Sequence, residues 1–324
     1  MLNRPVERAV LLPAAVLAAA ATLAGAPAAL SQEIPATGST SGDSAPVYLR
    51  LSPEPELSLT YAHSVRARVD APPELGGGQS LRSRMRLRQT PVGIGADSLD
   101  VRIEVVDISL SADSVPEEQL PDLARHEGAT YLARMTTRGE LVRMSRGEGG
   151  GGPGRAGGLS PVQRSVRMSA FPALPEAPVR PGESWTDTTL VQTGVMQGMG
   201  EGTTVAVART TLEELRREGS TRVADLSVVT SYTFRPADSA RSAIRADMSG
   251  SGSASVRFDV TNGRYLHSES AQDYTVNLRY PKSSRTYSVR FHVESEAQLV
   301  EVGGPPDEKK QGDREGGGKT PPGG

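Results

Sequence analysis

Residues 57–70 alternate without interruption. Leu57, Leu59, Tyr61, His63, Val65, Ala67 and Val69 fall on one side, and Ser58, Thr60, Ser64, Arg66, Arg68 and Asp70 on the other. The same two-residue period returns at 81–88, at 224–235 and at 287–299. Period two describes an antiparallel strand with one face buried and one face wet. Turn signals separate the runs: Pro72-Pro73 with Gly76–Gly78, Gly93 to Asp97, Arg138-Gly139, Gly219-Ser220 and Asn262-Gly263. Thr211–Arg217 looks helical in isolation, but its place before Gly219-Ser220 suits a strand entering a hairpin. Helices are expected at 160–170 and at 116–126. The fold class is therefore mainly β: a curved antiparallel sheet or half-barrel built from two related lobes, with one or two short helices.

The two lobes rest on an internal repeat. Ser98–Val106 matches Thr221–Val229 at an offset of 123 residues, and Thr137-Arg138-Gly139 matches Thr261-Asn262-Gly263 at 124. Leu57–Tyr61 corresponds to Ser184–Thr188 at about 125, which sets Trp185 near the place of Thr60. Three anchors in one order at nearly one spacing suggest a duplicated β-unit, with the hairpin at 274–300 added to the second copy.

The first 31 residues read as a secretory signal: Arg4 and Arg8, an Ala-rich apolar run over 9–30, then small residues up to Ser31. An uncleaved anchor is the alternative, although Pro13 interrupts the run. The expected layout continues as a disordered linker at 32–45, a first β lobe at 46–144 and a Gly-rich disordered loop at 145–158. A short helix and Pro-rich connector follow at 159–183, then a second β lobe at 184–302 and a disordered tail at 303–324. The linker, loop and tail are too poor in apolar residues to offset the entropy of ordering. The protein is expected to be exported, periplasmic or extracellular, with no integral membrane span after signal cleavage.

Composition narrows the chemistry. The chain has no cysteine, which excludes disulfides, thiolate metal sites and a cysteine nucleophile. A net charge of −2 argues against a nucleic-acid partner. Arg outnumbers Lys 32 to 4, a skew that reflects genome composition rather than binding. His63, His126, His267 and His292 are dispersed and lack metal-ligand spacing, so no metal and no cofactor are expected. No Gly-x-Ser-x-Gly elbow occurs. Gly198-x-Gly200-x-Gly202 lacks the strand and helix of a dinucleotide site. Gly250-Ser251-Gly252-Ser253 reads as a flexible lead into a strand. No catalytic residues are nominated, and the chain is not expected to be an enzyme.

Phe171–Thr188 (FPALPEAPVRPGESWTDT) joins the halves. Two prolines frame a Leu, and Pro-Gly-Glu-x-Trp opens a strand. This element resembles one found in uncharacterised secreted bacterial β-rich families, and the strand layout over 47–302 is similar to theirs. The layout is also distantly similar to the half-barrel of periplasmic outer-membrane lipoprotein carriers, a resemblance that implies an antiparallel sheet around an apolar hollow lidded by helices. On the residues themselves, Pro172, Pro175, Pro178 and Pro181 hold the chain extended. Trp185 is expected to plug the seam between the halves, with a ligand-stacking ring as the alternative.

Two sets of contacts follow from the faces. Tyr61, Trp185, Tyr232 and Phe258 are the candidate ligand contacts of the apolar face. Arg66, Arg82, Arg84 and Arg86 form a basic stripe that would contact anionic groups. A hairpin through the Gly-rich turn would set Arg66 beside Arg84 and Arg68 beside Arg82, with Asp100 and Glu104 of the next strand to compensate. The leading function is that of a non-enzymatic envelope protein holding an apolar or amphiphilic, lipid-like ligand against a concave face. The alternative is an interaction module with a filled core that docks another envelope protein.

Overall fold

The computed structural model describes residues 45–113, 115–116, 118, 120–146, 171–194, 201–236, 245–280 and 285–304. The expected signal segment, the helix at 160–170, the Gly198–Gly200 stretch and nearly all of the expected linker, Gly-rich loop and tail lie outside them. The strands are β1 (Ser58–Asp70), β2 (Gln79–Ile94), β3 (Ser98–Ala112), β4 (Thr130–Thr136) and β5 (Leu141–Arg146). After the connector come β6 (Ser184–Gly194), β7 (Glu201–Glu218), β8 (Thr221–Pro236), β9 (Arg245–Asp259), β10 (Arg264–Tyr280) and β11 (Arg285–Gly303). All eleven form one antiparallel sheet in the order β5-β4-β3-β2-β1-β11-β10-β9-β8-β7-β6. β5 and β6 are its two edges and are not paired with each other, so the sheet is open.

The two runs of strands are each laid down as a meander, and the first and last strands, β1 and β11, join them. The segments matched at offsets near 124 fall on β1 and β6, on β3 and β8, and on the turns before β5 and β10. Residues 211–217 continue β7, because their alternation is served by pairing with β8 across the Gly219 turn.

The dry face runs unbroken from strand to strand. Phe291, Val293 and Tyr274 are 1%, 0% and 3% exposed. A flat sheet would leave such residues in water. Instead Ala67 and Leu81 of β1 and β2 belong to one buried cluster with Tyr232 and Phe234 of β8. A twisted sheet of this width curls, and the dry face is the inside of the curl. A second cluster lies at the other end of the same face, around Tyr61, Phe258 and Tyr265. A third covers β2–β4 around Leu87 and Tyr131.

Three expectations change. Within 116–126 the described residues show no α-helix, only 3-10 structure at Glu118 and at Ala124–His126, because Pro121 disfavours helix in the residue before it. Gly250 and Gly252 lie inside β9, paired on both sides, and not in a flexible lead. A Cβ on Gly250 would sit 2.4 Å from Tyr274 Cβ, so glycine is required by the close approach of β10. The β1–β2 register pairs Arg66 with Arg82 and Ser64 with Arg84, two residues from the expected pairing. The reversal is centred on Glu74, in the 3-10 turn Pro73–Leu75, one residue before the centre that the expected pairing requires, and this shifts every partner by two.

Candidate functional site

Two segments outside the sheet close one end of the dry face. Residues 45–53 and the connector 171–183 lie together, joined by a two-way backbone bridge between Val47 and Val179 (2.9 and 3.0 Å). Leu51 N–H donates to Thr137 O at 2.7 Å and Ser52 N–H to Gly263 O at 3.0 Å. The strap is thus pinned to the turns before β5 and before β10. Gly263 has φ +59°, and a Cβ there would meet Ser52 N at 2.4 Å, so only glycine admits this contact. The prolines keep the connector extended, and its carbonyls, which no helix uses, are free to accept bonds. Arg138 Nε donates to Leu174 O at 2.7 Å, and Arg50 donates to the Pro175 and Glu176 carbonyls.

Beneath the strap the aromatics form a closed set. Phe171 stacks on Tyr265 (4.2 Å between centroids), while Tyr61 meets Phe171 and Phe258 meets Tyr265 edge-on. Tyr61 Oη donates to Tyr265 O at 3.1 Å, and Tyr265 Oη donates to Pro172 O at 2.6 Å. Trp185 Nε1 donates to Ala173 O at 2.8 Å. Burial raises both phenol pKa values, so these hydroxyls stay protonated. Trp185 therefore does not plug the seam between halves. That seam is β1–β11, whereas Trp185 stands on the edge strand β6 and fastens the connector to it. A cavity of about 70 Å³ is left under the strap, lined by Leu51, Leu59, Tyr61, Met135 and Phe171 among others.

The middle of the dry face has a different character. Registers carry one rung across the sheet through Ser83, Ser295, Ser270, Ala254 and Thr210, and the next through Ala67, Gln272, Gly252, Thr230 and Ala208. Val65, Val228, Leu81 and Val293 lie between these, and on the edge strand β6 the two rungs end on Trp185 and Asp187. The floor here is made mostly of small and hydroxyl side chains, between apolar clusters at either end. Ser270 and Ser295 share a hydrogen bond of 2.6 Å. His63 borders the first rung and Tyr274 the second. His63 Nε2 and Tyr274 Oη are shut from water and have no hydrogen-bond partner among the described residues. Burial pushes the imidazole pKa down to about 4, so His63 is neutral at pH 7, and it raises that of the Tyr274 phenol. Among the described residues, no Asp, Glu, Lys or Arg belongs to the dry-face registers of β1, β2, β8, β9, β10 and β11 across these rungs.

The four candidate ligand contacts are thus divided. Tyr61, Phe258 and Trp185 gather under the strap, and Tyr232 lies in the other cluster beside Gly250 and Tyr274. Sequence reasoning did not pick out Gln272, Tyr274 or the Ser270–Ser295 pair. Their signal was present as polar residues at dry-face positions of β10 and β11, visible once those strands are put in register.

The charged face divides the basic stripe. Arg86 is bonded to Asp107, and Arg88 to Glu104 at 3.0 Å. Asp100 is taken by Arg134 at 2.6 Å, which holds its carboxyl below the usual range. Among the described residues, Arg66, Arg82 and Arg84 have no carboxylate within ion-pair distance. Arg84 and Arg86 line an open depression of about 300 Å³ together with Asp107 and Glu296. Its charge is mixed, so it does not form a purely basic cradle. Beyond it, His292 is held by Asp273 at 2.9 Å and lies 3.6 Å from Glu294. Those contacts raise its pKa.

Among the described residues, no helix is long and apolar enough to cross a membrane. The chain matches no protein-family model and no curated protein. In fold it is similar to part of a solved structure described as "lipid-protein interactions in lipovitellin", with a TM-score of 0.42 and 9% identity. The match covers 79% of this chain and 26% of that one. A likeness at that level says nothing about function.

Proposed function

We propose that this is an exported, non-enzymatic envelope protein that holds an amphiphilic, lipid-like molecule on the inside of its curved sheet. The reading is carried by one observation: from β2 to β7 the middle rungs of the dry face are buried or half-buried and carry no charged side chain, yet they border polar atoms that the described chain does not satisfy. Buried polar groups in folded proteins nearly always have partners, and those without one point to an occupant. Burying apolar surface of this extent supplies the affinity, at about 25 cal/mol per Å². The test is organic extraction and mass spectrometry of protein purified from its own cells without detergent. A co-purifying amphiphile near one per chain is expected. Bare protein that takes up no hydrophobic dye would refute the reading.

One observation favours a second reading. The cavity under the strap holds only about 70 Å³, well short of a ligand pocket of about 300–1,000 Å³. A core filled by the chain itself, with the charged face docking another envelope protein, fits that volume. The same extraction separates the two readings.

A further inference from the structure

Resting on the amphiphile reading, the geometry points to the chemistry of the bound polar group: we infer that the middle rungs receive an uncharged group, a hydroxyl or an ester, and reject an ionised head. Three features converge there.

The first is the absence of compensating charge. An anion placed against these rungs would meet no Arg or Lys, because the guanidiniums of β1 and β2 project from the opposite face. Among the described residues, the carboxylate a cation could meet in these rungs is that of Asp187, at their far end on the edge strand β6, where it already accepts a hydrogen bond from Thr189. Burying an ion without a counter-charge is strongly unfavourable, whereas a hydroxyl or ester needs only hydrogen bonds.

The second is the hydrogen-bonding inventory. His63 is neutral and keeps Nε2 free, and Tyr274 keeps its phenol free. In the Ser270–Ser295 pair only one proton lies between the two oxygens, so the second hydroxyl proton is left to donate. These groups both donate and accept, which suits an alcohol or an ester carbonyl.

The third is room. Ala67, Gly252, Ala208 and the two serines give a low floor at mid-sheet, while bulky aromatics stand at both ends. An alkyl chain would lie on the apolar clusters with its polar group over the low floor.

A matched pair of probes tests this on the full-length protein. Nile red, an uncharged dye, is displaced by 1-decanol or by decanoate at pH 8, both below micelle-forming concentrations. Decanol should displace at a concentration about tenfold lower or better, beyond its own greater partitioning. The Ser270→Ala/Ser295→Ala double variant, which removes only hydroxyls, should narrow that ratio by at least about threefold, with each displacement referred to the variant's own measured Nile red affinity. Equal displacement by the two probes, or a ratio unmoved by the substitutions, would overturn the uncharged-group inference and leave amphiphile binding standing. Failure to bind Nile red, or displacement by neither probe, would overturn amphiphile binding itself.

Discussion

The strapped end and the middle of the dry face are built on the same strands, yet they treat polar atoms in opposite ways. Under the strap, Tyr61, Tyr265 and Trp185 each donate to a backbone carbonyl, two of those carbonyls belonging to the connector. At mid-sheet, the Tyr274 Oη and His63 Nε2 atoms are shut from water as well and are left unbonded. The first region is a finished core, in which the chain supplies its own lid. The second is a surface that the described chain leaves incomplete. Burial alone does not distinguish them; the accounting of hydrogen bonds does.

The largest expected effect lies at the finished end. Phe258 is fully buried against Tyr265, and Phe258→Ala should cost about 3–5 kcal/mol in denaturant unfolding. A loss below about 1 kcal/mol would mean that the strapped end is not a packed core. Gly263→Ala comes next. It forces a side chain into a left-handed turn and against Ser52, so it should cost about 1–3 kcal/mol. Hydrogen exchange should accelerate selectively at Leu51 and Ser52. Exchange unchanged there would show that the strap is held elsewhere.

Much of the strapped end was legible from the sequence, and less of the middle. Alternation placed Tyr61, His63, Val65, Ala67 and Val69 on one face because a strand's period is local. The extended connector followed from its prolines. What local pattern does not carry is partnership. That β1 lies beside β11 depends on contacts between residues more than two hundred positions apart. Gly250 and Gly252 read as breakers because only the position of β10 explains them. The unbonded atoms at mid-sheet emerge only when β1, β10 and β11 are aligned. A bulge between Thr60 and Tyr61 hides a further detail: Ser58, Leu59, Thr60 and Tyr61 are all buried in succession, where alternation predicts two.

A pair of hydroxyl deletions sharpens the contrast. Tyr265→Phe strands the Pro172 carbonyl and should cost about 1–2 kcal/mol. Tyr274→Phe removes a hydroxyl with no partner and should be neutral or stabilising in ligand-free protein, within about 0.5 kcal/mol of zero or above it. Equal losses from both would erase the distinction between the regions.

The smallest effect is a titration. His63 has a folded pKa near 4, below its unfolded value of 6.5, so its neutral form is the one that folds. Its contribution is complete above pH 6.5 and is lost as pH falls from 6.5 towards 4, by about 1 kcal/mol given its partial exposure. The stability difference between the wild type and His63→Asn should shift in that window, and it should stay constant between pH 7 and 8. A difference that is flat down to pH 4.5 would mean that the ring is solvated.

A crystal structure of protein purified without detergent addresses the middle rungs most directly. The account predicts continuous, elongated density over Ser270, Gln272 and Gly252, with a polar group within hydrogen-bond distance of Tyr274 Oη, His63 Nε2 or the serine pair. Those rungs covered instead by the protein's own side chains, with both atoms bonded to them, would contradict it.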